Sequence, residues 1–167
     1  MKKKNMNSLL VLLTGLCCLA GCAPTFSREL LDQVDSTTTF RELQNDPDRH
    51  VGKTFMLGGI ILETRNTAES TIIQVLQKPL DRQGRPRETD ETGGRFIIES
   101  PEFLDAAVYQ PGKRISLIGQ VTGQEVRPLG EIHYRYPVVS SKEVRLWEPR
   151  QGPRVSFGVG IGVFHHF

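Results

Sequence analysis

Hydrophobic and polar positions divide the chain into unlike stretches. Lys2, Lys3 and Lys4 precede an apolar run from Leu9 through Leu19, broken only by Thr14 and Gly15 and followed by Ala20 and Gly21. A mixed segment, "CAPTFSRELLDQVDST", then leads to "TFRELQNDP". There Thr39 and Glu42 have the spacing of a capping box, in which each side chain satisfies a backbone amide at the start of a helix. The pattern predicts a short helix over about Phe40 to Asn45, with Phe40 and Leu43 on one side and Pro47 stopping the run.

From residue 51 the period falls to two, the signature of half-buried strands. "TFMLGGIILET", "STIIQVLQK" and "RFIIE" are predicted strands. In the first, Gly58-Gly59 marks a bulge or sharp coil that would move the inward set from Phe55 and Leu57 to Ile60 and Leu62. "KRISLIGQVTG" turns Ile115, Leu117, Gly119 and Val121 one way; "EIHYRYPVV" sets Ile132, Tyr134, Tyr136 and Val138 against His133, Arg135 and Pro137. "EVRLWE" reads as a last short strand ending at Pro149. Between the third and fourth strands, "SPEFLDAAVYQPG" reads as a short helix, with Ser100 as N-cap, Pro101 at the first helical position and a Pro-Gly stop.

The predicted fold is therefore mainly β: a small OB-like Greek-key barrel or an open antiparallel sandwich, with one or two short helices. Three strands, a helix and further strands is the element order of the OB-type barrel, whose first strand is commonly long and coiled at a glycine. The sandwich would give nearly the same string.

The N-terminal run changes what the composition means. At about 11 apolar residues it falls short of the ~20 that cross a bilayer, so it reads as a cleaved secretory signal, residues 1–21. "LAGC" at 19–22 resembles the box at which a bacterial lipoprotein Cys receives diacylglycerol and becomes the new N-terminus. Cys22 is the candidate lipidation site, and Cys17 and Cys18 leave with the signal. An ordinary signal with a chance cysteine is the alternative; zinc ligation lacks partner ligands. Loss of Lys2, Lys3 and Lys4 takes Lys and Arg from 21 to 18, against 19 Asp and Glu. A near-neutral mature chain has no global field for polyanions, so no nucleic-acid partner is expected. The expected partner is the membrane, through the acyl chains. One chain binds a bilayer marginally, and two or three hold it. Ala23, rather than the Asp that retains lipoproteins at the inner membrane of enteric bacteria, favours the outer membrane.

The remaining organisation is a lipidated N-terminus and tether over 22–37, a β domain over 38–149 and a glycine-rich apolar tail over 150–167. In the tail Val155, Phe157, Val159, Ile161, Val163, His165 and Phe167 share one face if extended. It would pair with the protein's own sheet, lie unordered, or add to an edge of an outer-membrane protein or a second copy of itself. "PLDRQGRPRETDETGG", 79–94, is either a binding loop or a solvated hairpin excursion.

Several blocks taken in order carry a likeness: the box at Cys22, "HVGKTFMLGGIIL", "IIQVLQKPLD", "GGRFII", "FLDAAVYQPGKRISLIGQVTG" and "YPVVSSKEVRLWEP". Together they resemble the Slp family of starvation-inducible outer-membrane lipoproteins. The resemblance implies an address and a context: lipid-anchored, at the outer membrane, in stress physiology; the periplasmic face is the expected side. It implies no reaction and no family catalytic residues.

The residues agree in offering little chemistry. There is no GxSxG elbow and no P-loop, and "GVGIG" does not sit between a strand and a helix. His50, His133, His165 and His166 do not form a metal-ligand pattern, since adjacent strand residues point apart. No catalytic residue, cofactor or metal is expected. The leading expectation is a non-enzymatic envelope lipoprotein. The alternative is a ligand-binding OB-like module for a glycan or oligoanion in the periplasm. On the face of strands 2 and 3, which OB barrels use for polymers, only Phe96 is a possible stacking group. Trp147 reads as a packed strand end.

Overall fold

The computed structural model describes residues 25–148. Two short helices, α1 (Arg28–Leu31) and α2 (Phe40–Asn45), and a 3-10 turn (Pro47–His50) precede five strands, β1 (Thr54–Asn66), β2 (Thr71–Gln77), β3 (Arg95–Ser100), β4 (Arg114–Leu129) and β5 (Ile132–Trp147). The strands close into a barrel in the order β1-β2-β3-β5-β4, which decides for the OB-like barrel over the sandwich. All neighbours are antiparallel except β3 and β5, which run parallel over Ile97–Glu99 and Val138–Ser140.

α2 forms as its sequence predicts. Thr39 Oγ1 accepts from the Glu42 amide, the Glu42 carboxylate accepts from the Thr39 amide, and Leu43 is fully buried. Phe40 meets the core edge-on through Phe96, centroids 5.8 Å apart. The helix plugs one end of a core built from Phe55, Leu57, Ile61, Ile73, Val75, Phe96, Ile98, Ile115, Leu117, Val121 and Val139. Inward Ile115, Leu117, Gly119 and Val121 are the set that the alternation of β4 predicts.

β1 departs from the expected break. Its inward set runs on unshifted through Phe55, Leu57 and Ile61, with Ile60 and Leu62 only half-buried. The bulge lies later, between Ile61 and Glu63, against β2. Gly58 and Gly59 serve close approach instead: at Gly59 the strand pairs with both β2 and β4, and a Cβ there would stand 1.9 Å from the Leu76 carbonyl oxygen. The barrel can coil at this point because no side chain stands between three backbones.

The helix expected over 100–112 does not form. Long-range polar partners win over its local signals. Thr71 Oγ1 accepts from the Leu104 amide at 3.0 Å and Asn66 Nδ2 donates to the Leu104 carbonyl at 2.9 Å, pinning the segment outside helical geometry. Asp105 then closes one turn by accepting from the Ala107 amide with its side chain and from Val108 and Tyr109 with its carbonyl. Leu104 is buried and Phe103 is 76% exposed.

The two last predicted strands are one. β5 runs unbroken past Pro137, with irregularities opposite Ile118/Gly119 and Val121/Gly123 that absorb the "SSK" interruption. Ile132 is exposed at the far end of this ribbon. Among the described residues no helix is long and apolar enough to cross a membrane.

Candidate functional site

Cys22, the signal segment and the tail over 150–167 lie outside the described residues. The description begins three residues after Cys22, and there the chain is already on the barrel. Thr25 accepts from Arg145 Nε at 2.9 Å, the Ser27 amide donates to Glu143 Oε2 at 3.0 Å, and Phe26 is buried. After α1, Lys142 Nζ donates to Gln33 Oε1 at 3.1 Å and to Thr54 Oγ1 at 3.2 Å, and Val34 bridges to Thr54 in parallel. Asp35 fixes the end of the segment. Its carboxylate accepts from the amides and hydroxyls of Thr37 and Thr38 and from Lys53 Nζ at 3.0 Å. These bonds, those from Thr37 first, hold its carboxyl far below the usual range. Where a free tether was expected over 22–37, residues 25–35 are a strap.

The strap's bonds reach the start of β1 at Thr54 and β5 at Lys142, Glu143 and Arg145. Ile118, fully buried although it points away from the core, pairs in the sheet with Met56 and Glu143, the row that Ser27 reaches. The first part of loop 79–94 packs on the same side, while Arg82, Gln83, Arg87, Glu88, Asp90, Glu91 and Thr92 are exposed. Leu80 and Pro86 bridge to make a small hairpin, and Asp81 Oδ1 accepts from the amides of Gln83 and Arg85. Gly84 turns it with φ +79°, and the Phe26 ring lies against Gly84.

Arg85 lies over the Trp147 ring, 5.3 Å from its centroid, and donates through Nη2 to the Glu148 carbonyl. Trp147 Nε1 donates to Ser116 Oγ at 2.7 Å, so this residue is the packed strand end the sequence predicts. Arg114 pairs with Glu88 at 2.6 Å. Between hairpin and strand is a cleft of about 260 Å³ lined by Asp81, Arg85, Pro86, Arg87, Glu88 and Arg114. Among the described residues, Arg85 Nε and Arg114 Nη1 are buried without a hydrogen-bond partner.

The β2–β3 face differs. Phe96 is wholly inside the barrel and offers no stacking surface. Outward Ile97 and Tyr136 are 1% and 2% exposed; Gln74 Nε2 donates to the Tyr136 hydroxyl at 3.0 Å, and Tyr134 packs edge-on against Tyr136 at 4.8 Å. The far part of the β4–β5 ribbon adds the bidentate pair Arg127–Glu125, both bonds 2.7 Å, which lowers the Glu125 carboxyl and raises Arg127.

Carboxylates and a histidine do meet in one cleft, lined by Glu42, Asp46, His50 and Lys53 among others. Glu42 is occupied by the capping box, whose bonds from Thr39 lower its carboxyl and make it a poor base. His50 is buried edge-on to Phe55. Both side chains serve the end of the barrel. Among the described residues no three His, Cys, Asp or Glu side chains are grouped to hold a metal ion.

The model of the outer membrane lipoprotein Slp family matches residues 19–160. The chain belongs to the Slp family. Outer membrane protein Slp of Escherichia coli (strain K12) is 22% identical over 136 residues, 80% of this chain and 72% of that protein. An uncharacterized protein of Haemophilus influenzae is 31% identical over 137 residues, 80% and 73% of the two chains. The uncharacterized lipoprotein YeaY of Escherichia coli is 23% identical over 133 residues, 80% of this chain and 63% of its own length. Slp membership puts the chain at the outer membrane among lipoproteins. Among solved structures, a small single-stranded DNA-binding protein from Streptomyces coelicolor is 10% identical with a TM-score of 0.39, covering 57% of this chain and 94% of that one. So loose a likeness carries no argument about ligands.

Proposed function

We propose that the chain is a non-enzymatic lipoprotein anchored through acylated Cys22 to the periplasmic face of the outer membrane, where its barrel has a structural role in stress-related envelope integrity. The observation that carries this reading is the strap. Only Ala23 and Pro24 separate Cys22 from Thr25, which is already bonded to Arg145. The segment leaving the anchor is thus part of the barrel's own cover, and acylation would set the domain on the bilayer rather than on a long leash. Family membership supports the compartment.

The test is metabolic labelling with radioactive palmitate. The wild-type protein incorporates label and fractionates with outer membranes, and Cys22→Ser does neither. A Cys22→Ser variant that is still labelled refutes the site. The oligoanion-binding alternative loses its expected location, because Ile97 and Tyr136 are buried on the β2–β3 face. An observation elsewhere, the arginine-lined cleft, keeps it in play.

A further inference from the structure

We propose that the cleft between the 81–88 hairpin and the start of β4 binds the phosphodiester of a phospholipid headgroup. Arg85 Nε and Arg114 Nη1 are hydrogen-bond donors that lack a partner among the described residues, and both belong to side chains lining this cleft. A buried guanidinium N–H without an acceptor is costly, and a guanidinium is shaped to bind an oxyanion through parallel N–H bonds. The rest of each side chain is already fixed: Arg85 by the Trp147 ring and the Glu148 carbonyl, Arg114 by Glu88. The donors are therefore held in place before any ligand arrives, which lowers the cost of binding.

Charge selects the kind of anion. Arg85, Arg87 and Arg114 face Asp81 and Glu88 in the lining, leaving a formal surplus of one positive charge. That suits a singly charged phosphodiester better than a doubly charged monoester. Position selects the source. The hairpin carrying Arg85 packs on Phe26 through Gly84. Phe26 is four residues past Cys22, a span of at most about 14 Å of extended chain. Lipid headgroups are the phosphodiesters at that height. The choice of source rests on the Cys22 anchor; the chemistry of the cleft does not.

The test uses the chain from residue 22 onward with Cys22→Ser, so that acyl chains do not mask binding. The readout is fluorescence of Trp147, the only tryptophan, against which Arg85 lies. Titrants are soluble glycerophosphoglycerol, vesicles of a neutral diacyl glycolipid with phosphatidylglycerol, and vesicles of the neutral glycolipid alone, which carry no phosphodiester. We expect saturable responses to the first two. Arg85→Gln with Arg114→Gln should weaken both about tenfold or more, as loss of charged hydrogen bonds predicts. Arg82→Gln, on the same hairpin but outside the lining, should change neither. Glu88→Gln frees the second Arg114 nitrogen and should tighten binding, which keeps the test decisive if the double variant does not fold. A response to glycerophosphoglycerol without one to vesicles assigns the cleft to a soluble phosphodiester and overturns the lipid source. Equal weakening by Arg82→Gln, or no response to either titrant, overturns the site. Failure of palmitate labelling would remove the anchor and leave the glycerophosphoglycerol result standing.

Discussion

The two outer faces of the barrel are both covered, by different means. On one side the strap 25–35 and the hairpin of loop 79–94 pack together from outside the sheet, with Phe26 buried against Gly84, and the outward Ile118 of β4 is buried. On the β2–β3 side the cover is the sheet itself, and Ile97 and Tyr136 are buried among Gln74, Tyr134 and the ribbon that bears Arg127 and Glu125. A cover supplied by a separate segment can open without unfolding the barrel, whereas a cover made of core strands cannot. The strap-covered face is thus the adaptable one, and the face that OB barrels elsewhere offer to polymers is the fixed one.

Truncating the buried residue on each face puts that difference at risk most strongly. Ile118→Ala and Ile97→Ala should each cost about 2–4 kcal/mol of unfolding free energy in urea, since both delete a fully buried side chain. Limited proteolysis should separate them. Ile118→Ala should expose residues 25–35 to early cleavage, and Ile97→Ala should leave the strap protected. Equal cleavage in both would break the comparison. A smaller effect is expected from Tyr136→Phe, which removes the hydroxyl bonded to Gln74 and should cost about 1 kcal/mol with no change in strap protection.

Acid should loosen one face before the other. Asp35 has a folded-state carboxyl pKa well below its ordinary value of 3.8, so its contribution is whole above that pH and declines as pH falls below it. Amide exchange in residues 25–35 should therefore speed up below pH 3.8 relative to exchange in β2 and β3. Asp35→Asn should have a loose strap at neutral pH and lose this dependence. Smallest of all, Arg127→Gln removes a partly exposed ion pair and should change stability by no more than about 0.5 kcal/mol. A larger loss on thermal melting would mean that the ribbon's cover rests on charge.

What was legible in the sequence was what depends on neighbours in sequence. The capping box at Thr39 and Glu42, the alternation through Ile115 to Val121 and the element order of the barrel are of that kind. The helix expected over 100–112 had sound local signals and lost to Thr71 and Asn66, which no local pattern ties to Leu104. The strap had a signal that a tether should lack: Phe26, Leu30, Leu31 and Val34 recur at helical spacing, and all are at least partly buried. Arg85 and Arg114 were not legible as a pair. Only the return of the hairpin onto β1, beside Gly58, brings residues so far apart in sequence to one cleft.

In the proposed arrangement the chain leaving acylated Cys22 seats the strap-covered face against the bilayer. Fluorophores attached at residue 82, on the hairpin, and at residue 99, on β3, can be compared in acylated protein reconstituted into vesicles that carry a headgroup-linked quencher. Strong quenching at residue 82 and little at residue 99 is the predicted result; equal quenching at the two positions would contradict it.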